Sequence, residues 1–208
     1  MIFLAVALFA ALIYAFNQSS RTSTSVISDS QVDTYANQIV AQANDIKNAV
    51  KRVQLRGCDD TDLSFANNKE AGYTNASAPS NNTCHIFHDA GGGLTFKPIP
   101  DVITSSDEWL FTADNQVEDV GTNNAGTADL IIALANIPLE VCNQINDGLR
   151  NGWATPPVDD TTWDETKFTG TYSNNDDIGN GADLADIPTG CFQDGSSQYV
   201  FYTVLVSQ

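Results

Sequence analysis

MIFLAVALFAALIYAF, residues 1–16, carries no charged and no strongly polar side chain. As a helix it spans roughly 24 Å at 1.5 Å per residue. That falls slightly short of a bilayer core of about 30 Å, and extension through Ser20 makes it marginally sufficient. A segment apolar on every face must be buried on every face, in lipid or in protein. It therefore reads as a secretory signal, a membrane anchor, or a helix that packs against copies of itself. A secretory signal normally opens with positive charge, yet no Lys or Arg precedes Arg21. The side chains expected to form the buried surface are Met1, Ile2, Phe3, Leu4, Val6, Leu8, Phe9, Leu12, Ile13 and Phe16.

Outward from this stretch, residues 17–30 are dominated by Ser and Thr, which compete for backbone hydrogen bonds and weaken a helix. Ser28, Asp29 and Ser30 are good helix N-caps. Behind them apolar residues recur at Val32, Tyr35, Ile39, Ala43, Ile46, Val50 and Val53, in steps of three and four. That spacing predicts an amphipathic helix, with Asp33, Gln38, Asp45, Lys47, Lys51 and Arg52 on its other face. Its last turn is basic, as suits a helix C-terminus, and Gly57 supplies the stop. Residues 1–57 are thus expected to form a long helix, apolar and then amphipathic, joined by a weak polar segment.

The charge is unevenly divided. Residues 1–57 hold five basic and three acidic side chains, a balance of +2, while residues 58–208 hold four basic and twenty-three acidic ones, a balance of −19. An acidic body repels nucleic acid and anionic lipid, so nucleic acid is excluded as the main partner. The cysteines, Cys58, Cys84, Cys142 and Cys191, form no CxxC pair. An even number of them behind an apolar leader points to two disulfides in an oxidising compartment. Three pairings are open. Closure of loops of moderate length favours Cys58–Cys84 with Cys142–Cys191.

Residues 58–208 read as a β-rich head. CHIFH (84–88), GGLTFKPI (92–99) and EWLFTA (108–113) are short strand candidates. GTADLIIALANIP (126–138) is expected to be a short helix ended before Pro138. PLEVCNQINDGLRNG (138–152) is expected to be a second one, with Pro138 in its first turn and Gly152 at its limit. Residues 153–190 read as loop. CFQDGSSQYVFYTVLVS (191–207) reads as strand, Asp-Gly turn and strand. The expected fold class is α+β, with a long N-terminal helix (1–57) on a disulfide-bonded β-rich head (58–208).

Signals for chemistry are sparse. His85, His88 and Asp89 could offer metal ligands, but on a strand the two histidines point to opposite faces. Asp176, Asp177, Asp183 and Asp186 lie in a Gly-rich segment without the spacing of an EF-hand. A solvated acidic loop is the main reading there, and a weak calcium site the alternative. The GGG at 91–93 has no strand-to-helix context for a phosphate cradle, and no GxSxG or HExxH is present. Asn17, Asn75 and Asn81 each open an N-x-S/T triplet. No cofactor and no catalysis are expected.

The layout, an apolar helix running into an amphipathic one and then a disulfide-bonded β-rich head, resembles the type IV pilin and pseudopilin family. In that family a peptidase removes a short basic leader, so that the mature chain starts on the apolar helix, often with Met or Phe. LANIPLEVCNQI (134–145) is similar to the segment of type IVb pilins in which an Asn-[Ile/Val]-Pro turn precedes a Cys-bearing helix. The resemblance implies a Cys142–Cys191 bond delimiting a variable region. It also implies an extracellular filament of identical subunits for attachment or motility, held in the inner membrane with the assembly machinery beforehand. It further places residues 31–56 on the inner wall of the filament. There the basic helix end (Lys47, Lys51, Arg52, Arg56) is expected to meet a neighbour's acidic head. The chain departs from the family at Ala5, where a glutamate usually neutralises a neighbour's N-terminal amine. The rivals are a monomeric membrane-anchored binding protein of the cell surface and an anchored hydrolase using acidic residues.

Overall fold

The computed structural model describes residues 28–99, 108–121, 127–159, 162–173, 175–179 and 183–208. The ten assembly positions from Met1 to Phe16 and the weak segment up to residue 27 lie outside the described residues. Helix α1 (Asp29–Gln54) begins where the backbone N–H of Ser28 donates to Gln31 Oε1 at 3.0 Å, half of a capping box. It ends on Gly57 at φ 97°, a left-handed turn that Gly adopts without strain. Its buried side chains are Val32, Ala36, Ile39, Ala43, Ile46, Ala49, Val50 and Val53. This is the expected stripe, with Tyr35 only half-buried at its rim.

A short 3₁₀ turn (Asp60–Asp62) leads into the head. Strands β1 (Leu110–Val117), β2 (Asp129–Leu134), β3 (Asp176–Ile178), β4 (Thr189–Gln193) and β5 (Tyr199–Val206) form one sheet of order β3-β1-β2-β5-β4. Its neighbours are antiparallel except β1 and β3, which run parallel. Helix α2 (Leu139–Leu149) starts behind Pro138, as expected. The protein is α+β, with α1 packed on a curled sheet and two disulfides.

Alternation along the strands builds two apolar layers. Leu130, Ile132, Leu134, Phe201 and Leu205 join the stripe of α1 and the Val141, Cys142 and Ile145 face of α2. Ile131, Ala133, Val200, Tyr202 and Val204 point the other way, under the loops that carry Trp163 and Leu184. Residues 29–54 therefore share one core with the head.

Three expectations are corrected. Residues within 126–138 form strand β2 rather than a helix. As the central strand it is buried on both faces, so it needs a continuous apolar run with no period of two. CHIFH and GGLTFKPI are not strands: Gly92 N donates to His85 O and Gly91 N to His88 O, folding the segment on itself as turns. Residues 153–190 are not all loop, because β3 lies within them and β4 opens at Thr189. The final hairpin is strand, Asp-Gly turn and strand as expected, with Ser197 left-handed (φ 65°) and Asp194 Oδ1 accepting from Ser196 N and Gln198 N.

Candidate functional site

The seam between α1 and the head is fastened at two points, and a second disulfide ties α2 to β4 within the head. Cys58, just past the helix, bonds Cys84 with Cα atoms 5.7 Å apart. Cys142 on α2 bonds Cys191 on β4 with Cα atoms 5.4 Å apart. Both pairings are the favoured ones. The second fastening of α1 is electrostatic. Arg52 Nη2 donates to Gly92 O at 2.7 Å and Arg56 Nη1 to Gly91 O at 2.8 Å. Two of the four cations expected to meet a neighbouring subunit are thus bonded inside their own chain, whereas Lys51 is exposed. The carbonyls are presented because Gly91 and Gly92 lie flush against the backbone of His85 and Ile86, where an added Cβ would collide.

Beside the second disulfide, Asn146 is buried on α2. Its Nδ2 donates to Cys191 O at 2.8 Å, and its Oδ1 accepts from Cys191 N at 2.9 Å. One amide thereby satisfies both backbone groups on the free edge of β4, which would otherwise be an open strand edge. The rest of that edge is covered by the exchange of Gln193 N with Pro157 O and of Asp159 N with Gln193 O.

The candidate ligand sets do not assemble as the sequence places them. His85 and His88 lie at a turn with ring centroids 6.3 Å apart, so the strand geometry expected to separate them is not present. Burial and the neighbouring His88 lower the pKa of His85, and His88 Nδ1 accepts from Ala90 N. Asp176 faces Asp159, Asp177 and Asp164 rather than Asp183 and Asp186. Burial first, then these like charges, pushes its carboxyl up. Among the described residues no three His, Cys, Asp or Glu side chains are grouped to hold a metal ion.

A feature that the sequence did not flag is a cavity of about 230 Å³ lined by Tyr73, Glu108, Trp109, Leu110, Ala135, Trp163, Glu165 and Lys167. The Lys167 ammonium sits 4.9 Å from the centroid of the Tyr73 ring and 3.9 Å from Glu108 Oε2, and donates to Ala71 O at 2.9 Å. Behind the wall, Glu70 is only 5% exposed. Burial, and then the like charge of Glu108, pushes its carboxyl up to about 8; Lys167 and the Trp109 backbone offset this only in part. Neither Glu70 oxygen has a well-formed hydrogen bond, and the Trp163 indole N–H is likewise buried without a partner. The only foreshadowing in sequence is a Glu between Lys69 and Ala71 in a loop, which is indistinguishable there from a solvated one.

Comparison with protein-family models, with curated proteins and with solved structures gives no match for this chain. Among the described residues no helix is long and apolar enough to cross a membrane.

Proposed function

We propose that the protein is the structural subunit of an extracellular filament of the type IV pilus kind, polymerising through residues 1–16. The observation that carries this is a division of apolar surface. Helix α1 buries its stripe, Tyr35 only in part, against its own head, which leaves the sixteen uninterrupted apolar residues ahead of it as a surface for other copies. Burial of apolar area is worth about 25 cal/mol per Å² against water; against lipid the gain is one of packing. The Cys142–Cys191 bond behind Asn136-Ile137-Pro138 matches the pairing that the pilin resemblance implies. The partners are then identical subunits, with the membrane and assembly machinery before polymerisation, and the role is structural rather than catalytic.

The test is a charge in the apolar run. Leu8→Asp or Leu12→Asp abolishes filament material in sheared cell supernatants, while Ala5→Glu is tolerated if subunits follow the common family register. Normal filaments from Leu8→Asp would overturn the assignment. A monomeric anchored binding protein is the second reading, favoured by the cavity at Trp163 and Lys167. It is distinguished by the oligomeric state of material released by shearing without detergent.

A further inference from the structure

Three triplets of the N-x-S/T type occur in the chain, and two of them, at Asn75 and Asn81, fall on described residues. The fold treats the two asparagines in opposite ways. Asn75 is 6% exposed, and its Nδ2 donates to both Thr61 O and Leu63 O at 2.7 Å. Its Oδ1 accepts from Ser77 N at 2.8 Å, so the whole amide is committed to the loop frame. A sugar on that nitrogen would remove at least one of two short bonds and would have to displace packed backbone.

Asn81 stands at the tip of a tight turn. Asn82 N donates to Pro79 O at 2.9 Å, and Asn82 takes a left-handed φ of 61°. Asn81 is exposed. Its Oδ1 accepts from Thr83 Oγ1 at 2.8 Å and from Thr83 N at 3.2 Å. The amide is planar, so fixing the oxygen against Thr83 leaves the Nδ2 on the opposite side of the group, on an exposed residue. The residue type required two positions on is thus the one that orients the acceptor. Cys84, bonded to Cys58, pins the base of the turn in the core.

From this geometry we infer that Asn81 is an N-glycosylation site and Asn75 is not. In the reaction the Asn81 amide nitrogen attacks the anomeric carbon of a lipid-phosphate-linked oligosaccharide. The new C–N bond forms as the anomeric C–O bond breaks, and the lipid phosphate leaves with that electron pair. One amide proton is lost to a base of the transferase, and nothing is oxidised or reduced. The inference rests on the export that the filament assignment entails, since such donors face an extracytoplasmic compartment.

The experiment is glycopeptide mass spectrometry of the full chain purified from its own cells, with thiol alkylation before and after reduction. A glycan mass on the peptide containing Asn81, an unmodified Asn75, and complete loss of the glycan in Asn81→Gln and Thr83→Ala but not in Thr83→Ser are expected. Bare Asn81 in a chain whose four cysteines resist alkylation until reduced overturns the glycan and leaves export standing. Bare Asn81 with freely alkylated cysteines overturns both. A glycan on Asn75 overturns the discrimination between the two sites.

Discussion

Glu70 shows what a single buried group does to the molecule. Its carboxyl is raised from 4.5 to about 8 in the fold. The unfolded chain therefore gives up this proton at lower pH than the folded one. Stability from this group is complete below about pH 4.5 and is lost as pH rises towards 8. Glu70→Gln keeps the shape without the charge. We predict that it melts with the wild type at pH 4 and well above it at pH 8.5, by on the order of 3 kcal/mol. Parallel melting curves at both pH values would refute the buried carboxyl. Asparagines act in the opposite sense, as fully satisfied buried groups. Asn115 gives Nδ2 to Asp164 O at 2.8 Å and takes Asp164 N at 2.7 Å, and Asn146 repeats this pattern at Cys191. These amides splice loops and a helix onto strands. In sequence they look like loop residues, because a polar residue bonded to a backbone cannot be told from a solvated one until the backbone it meets is placed.

At the scale of elements, legibility followed periodicity. The stripes of α1 and α2 are written in their apolar spacing, since each has one buried face; the last hairpin, whose β5 is buried on both faces, is written in its Asp-Gly turn and its β-branched and aromatic residues. Strand β2 was not legible as a strand because both its faces are covered. Strand β1 was only half legible: its second half, ADNQV, is polar yet buried, held by bonds such as Val117 N to Asp129 Oδ2 at 2.9 Å. Strand β3 has three residues and no pattern to show. The disulfides tie these elements together, and the longer loop carries the larger entropic effect. Cys142–Cys191 closes a separation of 49 residues, worth about 4 kcal/mol in the chain-entropy account. Cys142→Ala with Cys191→Ala is expected to lower Tm by about 10 °C, read by calorimetry under oxidising conditions. An unchanged Tm would show that α2 and β4 hold together without it.

The whole molecule joins an acidic head of net charge −19 to an apolar run without a single charge. Like-charged heads repel at long range. In the filament we propose, close packing of copies comes from the apolar run, with the head left facing water. The pairing of cysteines and the packing of α1 were legible from the chain alone. The cavity in front of Glu70 was not, because it brings together residues from 73 to 167 that no local pattern links. The same limit applies to the internal bonds of Arg52 and Arg56, whose acceptors lie in a turn 35 to 40 residues away. The most direct measurement is electron microscopy of material sheared from expressing cells, labelled with an antibody to residues 58–208. Thin filaments decorated along their length are expected. Label confined to membranes, with no filaments from expressing cells, would contradict the filament assignment.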